Sequence, residues 1–310
     1  LTNQLNHPFK TPPYLKKGDT VAITCPAKKL PSGIGEAVRL LESWGLRVLL
    51  GDTVEASWHQ FAGNDELRTG DFQRFLDDEN VKAIFAARGG YGTIRIIDRL
   101  DFSGFRDHPK WIIGFSDITV LHSHIQALYK TESIHGQMPI SIPEGSKFSL
   151  EILRKALFDE SIEYSYKSIL KNRPGNSTGI LTGGNLTLLV MMSGSVSEQD
   201  YTDKILFIED VGEYLYSLDR MMWNLKRSGK LNNLKGLIAG SFTEMKDNDI
   251  PFGQNAEQII MDHVKEFDYP VCFNFPAGHI ADNQALILGR TVSLQAEDYA
   301  VRMIYKTDHL

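Results

Sequence analysis

Lys110-Trp-Ile-Ile-Gly-Phe-Ser116-Asp117-Ile-Thr-Val-Leu121 decides how this chain is read. Trp111-Ile112-Ile113 is a short apolar run of the kind that forms a buried strand. Gly114 and Ser116-Asp117 interrupt it. Beyond them Ile118, Leu121, His122, Ile125, Leu128 and Tyr129 recur at helical spacing. Ser116 is therefore predicted where a strand hands over to a helix, its hydroxyl at a sheet's C-terminal edge beside the unpaired N–H groups of a first turn. Two roles suit a serine there. Ser116 or Asp117 can be an N-cap that accepts from one of those N–H groups. Alternatively Ser116 is a nucleophile on a tight turn. Of the hydrolase pattern G-x-S-x-G only Gly114 is present, and Ile118 stands where the second glycine would be. The stretch alone leaves both roles open.

Upstream, strands and helices alternate. Thr20–Thr24 reads as a strand ended by Cys25-Pro26, Glu36–Trp44 as a helix stopped by Gly45, and Arg47–Leu50 as a second strand. Asp65–Asp77 is a polar helix expected to turn Leu67, Phe72, Phe75 and Leu76 inward, and Val81–Ala86 is a third strand. It runs into Arg88-Gly89-Gly90-Tyr91-Gly92, with a helix expected over Thr93–Leu100. Such alternation predicts a doubly wound parallel sheet covered by helices, with its site at the C-terminal strand ends. The glycine loop sits at one such end. It matches neither the dinucleotide nor the P-loop fingerprint. It is either a tight turn or a nest of N–H groups facing an oxyanion.

Downstream, Ser149–Phe158 carries one helix, and Asn172-Arg-Pro-Gly-Asn-Ser-Thr-Gly179 has turn composition that marks a domain junction. The expected organisation is a first α/β domain over residues 1–145, a linker over 146–178 and a smaller α/β domain over 179–310. In the latter, Thr182-Gly-Gly-Asn185 opens a Leu- and Met-rich helix, and Lys204–Ile208 is a strand delivering Glu209-Asp210. Leu218–Lys226 packs Leu218, Met221, Met222 and Leu225, a pattern of core rather than cofactor contact. Gly236–Ser241 is a strand, Ala256–Val264 a helix, and Val271–Phe275 a strand that breaks at Pro276-Ala-Gly278 to present His279.

Composition narrows the function. The 310 residues suffice for two modest domains, and 42% hydrophobic content supports a real core. A net charge of -6 without a basic run argues against nucleic-acid or anionic-membrane binding. No apolar stretch reaches the roughly 18 residues that span a bilayer. The start, Leu1–His7, has no signal-peptide core, although a leader removed before Leu1 stays an open alternative. Two cysteines, Cys25 and Cys272, make no disulfide framework, and no metal-ligand spacing occurs. Pro26 forbids a nucleophile elbow at Cys25.

A serine hydroxyl needs a base, and the base needs an orienting group. Nine histidines compete for the first role. His122 lies six residues along the helix from Ser116, roughly 9 Å up its axis, on the apolar stripe, and reads as a core residue. His7 and His309 lie near the ends; His59, His108, His124 and His263 read as solvated or helix-face residues. His135 could stand near the site. His279, on a Gly/Pro loop after a strand, best suits a presented base. For the orienter, Glu209 is the first carboxylate after an apolar strand, with Asp210 and Glu213 as rivals; the same acids could instead be a helix-leading turn favoured by the macrodipole.

Six motifs occur in order: Ala87-Arg-Gly-Gly-Tyr-Gly92, Gly114-Phe-Ser-Asp117, His135-Gly-Gln-Met-Pro139, Thr182-Gly-Gly-Asn-Leu186, Leu206-Phe-Ile-Glu-Asp-Val-Gly-Glu213 and Gly278-His279. With them the chain resembles, from Pro12 to about Arg302, the LD-carboxypeptidases, the muramoyltetrapeptide carboxypeptidase family of serine peptidases. The resemblance implies a Ser–Glu–His triad at Ser116, Glu209 and His279, with backbone N–H groups of Gly90 and Asp117 as oxyanion hole. It implies an active site in the cleft between domains, no cofactor, and a cytoplasmic role in peptidoglycan recycling, often as a homodimer. The implied substrate is the murein tetrapeptide, cut between meso-diaminopimelate and its terminal D-Ala. Arg88 is the nearest candidate for the substrate's free carboxylate, or else a brace at the domain interface. A second branch of the family resembles microcin-immunity peptidases, which cleave a peptidyl or aminoacyl nucleotide; it would need an aromatic platform, for which Phe148, Tyr164 and Tyr166 are the candidates. The remaining alternative is a non-catalytic α/β binding module in which Ser116 is a plain cap.

Overall fold

In a computed structural model, which describes residues 9–306, the strands are β1 (Thr20–Thr24), β2 (Arg47–Leu50), β3 (Val81–Ala86), β4 (Trp111–Gly114), β5 (Ser133–His135), β6 (Glu163–Lys167), β7 (Gly175–Asn185), β8 (Lys204–Val211), β9 (Gly236–Thr243), β10 (Val271–Cys272), β11 (Leu286–Leu288), β12 (Thr291–Ala296) and β13 (Ala300–Tyr305). The helices are α1 (Gly35–Ser43), α2 (Asp65–Asp77), α3 (Ser103–Asp107), α4 (Thr119–Tyr129), α5 (Lys147–Leu157), α6 (Leu186–Met191), α7 (Leu215–Arg227) and α8 (Ala256–Val264). His7 and His309 lie outside the described residues.

The strands form two sheets of a mixed α/β architecture. The first has the order β11-β5-β4-β3-β1-β2, parallel throughout except for β11, which pairs antiparallel with β5. The second has the order β10-β9-β8-β7-β12-β13-β6. Its first four strands are parallel and its last three are added antiparallel. Strand side chains alternate between two faces, and in the central strands both faces are apolar. Val21, Ile23, Phe85, Trp111 and Ile113 enter one core; Ala22, Ile84, Ile112 and Ile118 enter the other. Ile205 and Phe207 against Leu206 and Ile208 repeat the division in β8.

Several local expectations change. Thr93–Leu100 forms two tight turns, Thr93–Arg95 and Ile97–Arg99, rather than a continuous helix. Leu67 lies on the outward side of α2, whereas Phe72, Phe75 and Leu76 are buried. Thr182–Asn185 ends β7, and the helix starts only at Leu186, where the Asn185 side chain accepts the Leu188 N–H. The turn-rich segment ending at Gly179 is extended from Gly175, because pairing with β12 supplies the partners that local composition does not. Strand β6 falls within residues 146–178 and belongs to the second sheet, while β11 falls within 179–310 and belongs to the first.

Candidate active site

Ser116 follows β4 directly. Phe115 is extended, and Ser116 takes a φ of 62°, a left-handed conformation that a non-glycine residue holds at a cost of about 1–3 kcal/mol. The tight turn Ser116–Ile118 then leads into α4. Neither serine nor aspartate acts as the N-cap that local sequence allows, because no side chain caps this turn or α4. The half-buried Ser116 hydroxyl has no hydrogen-bond partner among the described residues. The Asp117 carboxylate is buried and turns away to accept the Thr93 N–H at 2.8 Å. Burial is the main reason its carboxyl titrates above the ordinary range, opposed by the bonds from Thr93.

The glycine loop lies against this turn. A Cβ at Gly89 would stand 3.1 Å from Ser116 Cβ and 3.3 Å from its Oγ, so a larger residue would have to push the serine by a few tenths of an ångström. Two buried groups hold the loop from behind. Arg68, fully buried on α2, donates to the carbonyls of Pro26 at 2.5 Å and Gly92 at 2.9 Å and is ion-paired with Asp65. Asp117 takes the next residue's N–H, as described. Arg88 does not reach across to the other sheet. Its Nη1 donates to the Lys29 carbonyl at 2.7 Å and braces the loop after β1.

From the second sheet, β8 delivers Glu209 at an irregularity in its pairing with β9. Glu209 is completely buried, and its Oε2 lies 2.7 Å from Nδ1 of His279. That bond assigns the proton to Nδ1 and leaves Nε2 as the ring's second nitrogen. Burial works against the imidazolium, but the bond and charge of Glu209, with the charges of Asp210 and Glu244, outweigh it and raise the His279 pKa above 6.5. The loop needs Gly278 beside the dyad: its φ is 116°, and an added Cβ would sit 2.8 Å from Glu209 Oε2. Gly278 N–H donates to Asn283 Oδ1 at 2.9 Å and the His279 carbonyl accepts from Thr243 Oγ1 at 3.3 Å, which fixes the loop on both sides of the ring.

The sheets meet at this point. The ring of Phe115, the residue before Ser116, lies edge-on to the His279 ring with centroids 4.9 Å apart. Asn185 N–H donates to Thr119 Oγ1 at 3.0 Å, and Asn185 Nδ2 donates to Asp210 Oδ1 at 2.9 Å. The Thr-Gly-Gly-Asn motif is thus a bridge from the helix after Ser116 to the strand carrying Glu209. Sequence reasoning did not assign these contacts, nor the role of Arg68. An arginine on the apolar side of α2 was the available signal.

The remaining histidines divide as follows. His122 donates from Nε2 to the Gly114 carbonyl at 2.8 Å, and burial pushes its pKa down to about 4. His135 is buried between Phe115 and Phe207, with ring centroids at 5.8 and 5.0 Å, and is held well below the usual range by burial. His124 and His263 lie on helix faces that point inward, bonded to Ser197 and Asp219, rather than in solvent. Of the aromatic candidates in the 146–178 stretch, Tyr164 and Tyr166 spend their hydroxyls on the carbonyls of Ala285 and Phe273, and Phe148 alone is exposed. Among the described residues no group of three His, Cys, Asp or Glu could hold a metal, and no helix is long and apolar enough to cross a membrane.

Known proteins carry the same arrangement of halves. The model of the LD-carboxypeptidase N-terminal domain matches residues 21–136, and that of the LD-carboxypeptidase C-terminal domain matches residues 178–294. The chain belongs to the LD-carboxypeptidase family. This LD-carboxypeptidase homologue is 35% identical over 299 residues to a probable murein peptide carboxypeptidase of Bacillus subtilis strain 168, covering 94% of this chain and 93% of that protein. It superposes with a TM-score of 0.84 on the crystal structure of muramoyltetrapeptide carboxypeptidase from Oxalobacter formigenes, at 28% identity, covering 93% of this chain and 99% of the other. The microcin C7 self-immunity protein MccF, in a complex with aspartyl sulfamoyl adenosine, also gives a TM-score of 0.84 over 95% and 98% of the two chains. At 19% identity that likeness is one of fold. Membership of the family makes the chain a peptidase of the serine carboxypeptidase type.

Proposed function

We propose that this protein hydrolyses the bond between meso-diaminopimelate and the terminal D-Ala of a murein tetrapeptide, with Ser116 as nucleophile, His279 as base and Glu209 as the group that orients and charges the base. The observation that carries the reading is the 2.7 Å bond between buried Glu209 and His279 Nδ1, with the His279 ring against Phe115. A carboxylate on Nδ1 fixes the tautomer in which Nε2 can take a proton. The names of the relatives support the substrate.

In this mechanism Ser116 Oγ attacks the diaminopimelate carbonyl carbon as its proton passes to His279 Nε2. The carbonyl oxygen becomes an oxyanion held by the N–H groups of Gly90 and Asp117, neither of which has another acceptor among the described residues. One such donor is worth about 2.7–4 kcal/mol. The imidazolium then protonates the leaving amine of D-Ala. Water, deprotonated by the same imidazole, cleaves the acyl-enzyme and regenerates Ser116. Arg88, with one nitrogen on Lys29, has further donors for the D-Ala carboxylate. The family resemblance further suggests a cytoplasmic place in peptidoglycan recycling and a homodimer.

The test is D-Ala release from purified muramoyl tetrapeptide, with an aminoacyl-sulfamoyl adenosine offered in parallel. Wild type should release D-Ala and Ser116→Ala should lose at least about 10³-fold of that rate. Turnover that survives in Ser116→Ala, or hydrolysis of the adenosine compound alone, would overturn the reading.

A further inference from the structure

Three aromatic residues run from the glycine loop, where Tyr91 sits, to the turn after β2, and none of their side chains has been given a role so far. Trp58 and Tyr91 are 44% and 42% exposed, and Phe61 is buried between them. The Trp58 and Phe61 rings stack with centroids 6.0 Å apart at 26°, and Phe61 lies 6.0 Å from Tyr91 at 47°. Exposed aromatic rings are ordinarily mobile, but the turn that carries Trp58 is fastened. Trp58 and Phe61 exchange both backbone hydrogen bonds at 2.9 Å across a two-residue turn, in which His59 has a φ of 53°. Lys28 pairs with Phe61, and Lys29 Nζ donates to Ser57 Oγ at 3.0 Å. The guanidinium groups of Arg68 and Arg95 lie 4.9 and 5.4 Å from the Phe61 ring centre. A large apolar side chain held rigid in water is costly to keep unless something covers it.

Resting on the peptidase reading above, we propose that Trp58 and Tyr91 form the subsite for the pyranose ring of a muramoyl peptide, so that the sugar-bearing substrate is preferred over the free tetrapeptide. Reach selects this occupant. Tyr91 is two residues from Gly89, so their Cα atoms are at most roughly 7 Å apart, and a Cβ added at Gly89 would stand 3.1 Å from Ser116 Cβ. The aromatic row continues from Tyr91 through Phe61 to Trp58 in two 6.0 Å steps. In a muramoyl tetrapeptide three residues, the second of them γ-linked, and a lactoyl ether separate the sugar from the scissile bond, roughly 15 Å when extended. A sugar at that remove from Ser116 meets the row. The chemistry fits as well: a pyranose presents C–H groups on one face, and an indole or phenol ring presents its electron-rich face to them.

The experiment compares D-Ala release from N-acetylmuramoyl tetrapeptide and from the same tetrapeptide without sugar. In Trp58→Ala the ratio of kcat/KM for the two substrates should fall roughly tenfold, through KM, and Trp58→Phe should restore most of it. A ratio unchanged in Trp58→Ala overturns the subsite, as does an equal loss on both substrates. If wild type releases D-Ala from neither, the peptidase reading has failed, and the subsite is judged on binding. Quenching of protein fluorescence by the muramoyl tetrapeptide, absent in Trp58→Phe and not produced by the free tetrapeptide, supports it. No quenching, or quenching only by an aminoacyl-sulfamoyl adenosine, overturns it.

Discussion

Asp117 Oδ2 accepts the Thr93 N–H at 2.8 Å, and so ties the turn that carries Ser116 to the loop that carries Gly90. The two segments are 24 residues apart in the chain and belong to the ends of neighbouring strands. Without that tie, the Gly90 donor proposed for the oxyanion is held against the hydroxyl by one fewer of the two buried groups behind its loop, Arg68 remaining. A misplacement of about 1 Å can cost about 10²-fold in rate. Asp117→Ala is therefore expected to lower kcat by roughly 10- to 100-fold with a smaller change in KM, whereas Asp117→Asn, whose amide oxygen still accepts from Thr93, should retain most activity. Steady-state kinetics normalised by phosphonate titration of active sites checks this apart from folding losses.

The His279–Glu209 pair makes a prediction about pH. In the proposed mechanism only the neutral ring can take the Ser116 proton, so kcat/KM should rise with pH through the His279 pKa of the free enzyme. Because the shift is upward, the midpoint should lie above 6.5. In Glu209→Gln the opposing burial acts without the carboxylate's charge and should move the midpoint downward, while kcat falls by roughly 10²- to 10⁴-fold. A pH–rate profile of both proteins tests the direction; an unmoved midpoint would assign the limb to another group.

His122 predicts how the fold responds to acid. Its pKa is pushed from 6.5 to about 4 by burial, so below pH 6.5 the unfolded chain takes up a proton that the folded chain refuses. Stability should therefore decline as pH falls from about 6.5 toward 4, by on the order of 3 kcal/mol from this residue, with His135 acting in the same direction. Replacing His122 with Gln keeps a donor for the Gly114 carbonyl and removes the titration. Urea melts at pH 7 and pH 5 should show a smaller difference in His122→Gln than in wild type.

Arg290 and Glu132 predict a purely structural effect. They form a two-armed ion pair at 2.5 and 3.1 Å, with Arg290 also over the rings of Tyr14 and Tyr305. Both side chains are largely buried, at 15% and 5% exposure. Removing one partner leaves a buried charge, so Arg290→Ala should cost about 3–5 kcal/mol. Chemical denaturation measures the loss, and kcat per titrated site should stay near the wild-type value.

The alternation of apolar strands and amphipathic helices made the first sheet legible, because Thr20–Thr24, Val81–Ala86 and Trp111–Ile113 are apolar on both faces and need layers on both sides. The late antiparallel strands were less so. Glu163–Lys167 and Gly175–Gly179 are polar, and only their long-range partners make them strands. The placing of Ser116 at a strand-to-helix junction, and of His279 on a loop after a strand, came from local pattern. The left-handed Ser116, the Asp117–Thr93 tie and the Asn185 bridge depend on segments distant in the chain, and periodicity carries no information about them. For Arg68, periodicity does place a charge on the apolar side of α2, four residues from Phe72, but the carbonyls it holds are on distant segments.

Leu286–Leu288 returns from the far end of the polypeptide to lie along β5. During synthesis the edge of the first sheet therefore stays uncovered until about 150 more residues have been made, a row of unpaired backbone groups open to any passing strand. The two halves are laced together rather than joined end to end. A nick or truncation before Leu286 would strip a strand from the sheet that carries Ser116, although the cut lies far downstream of that residue.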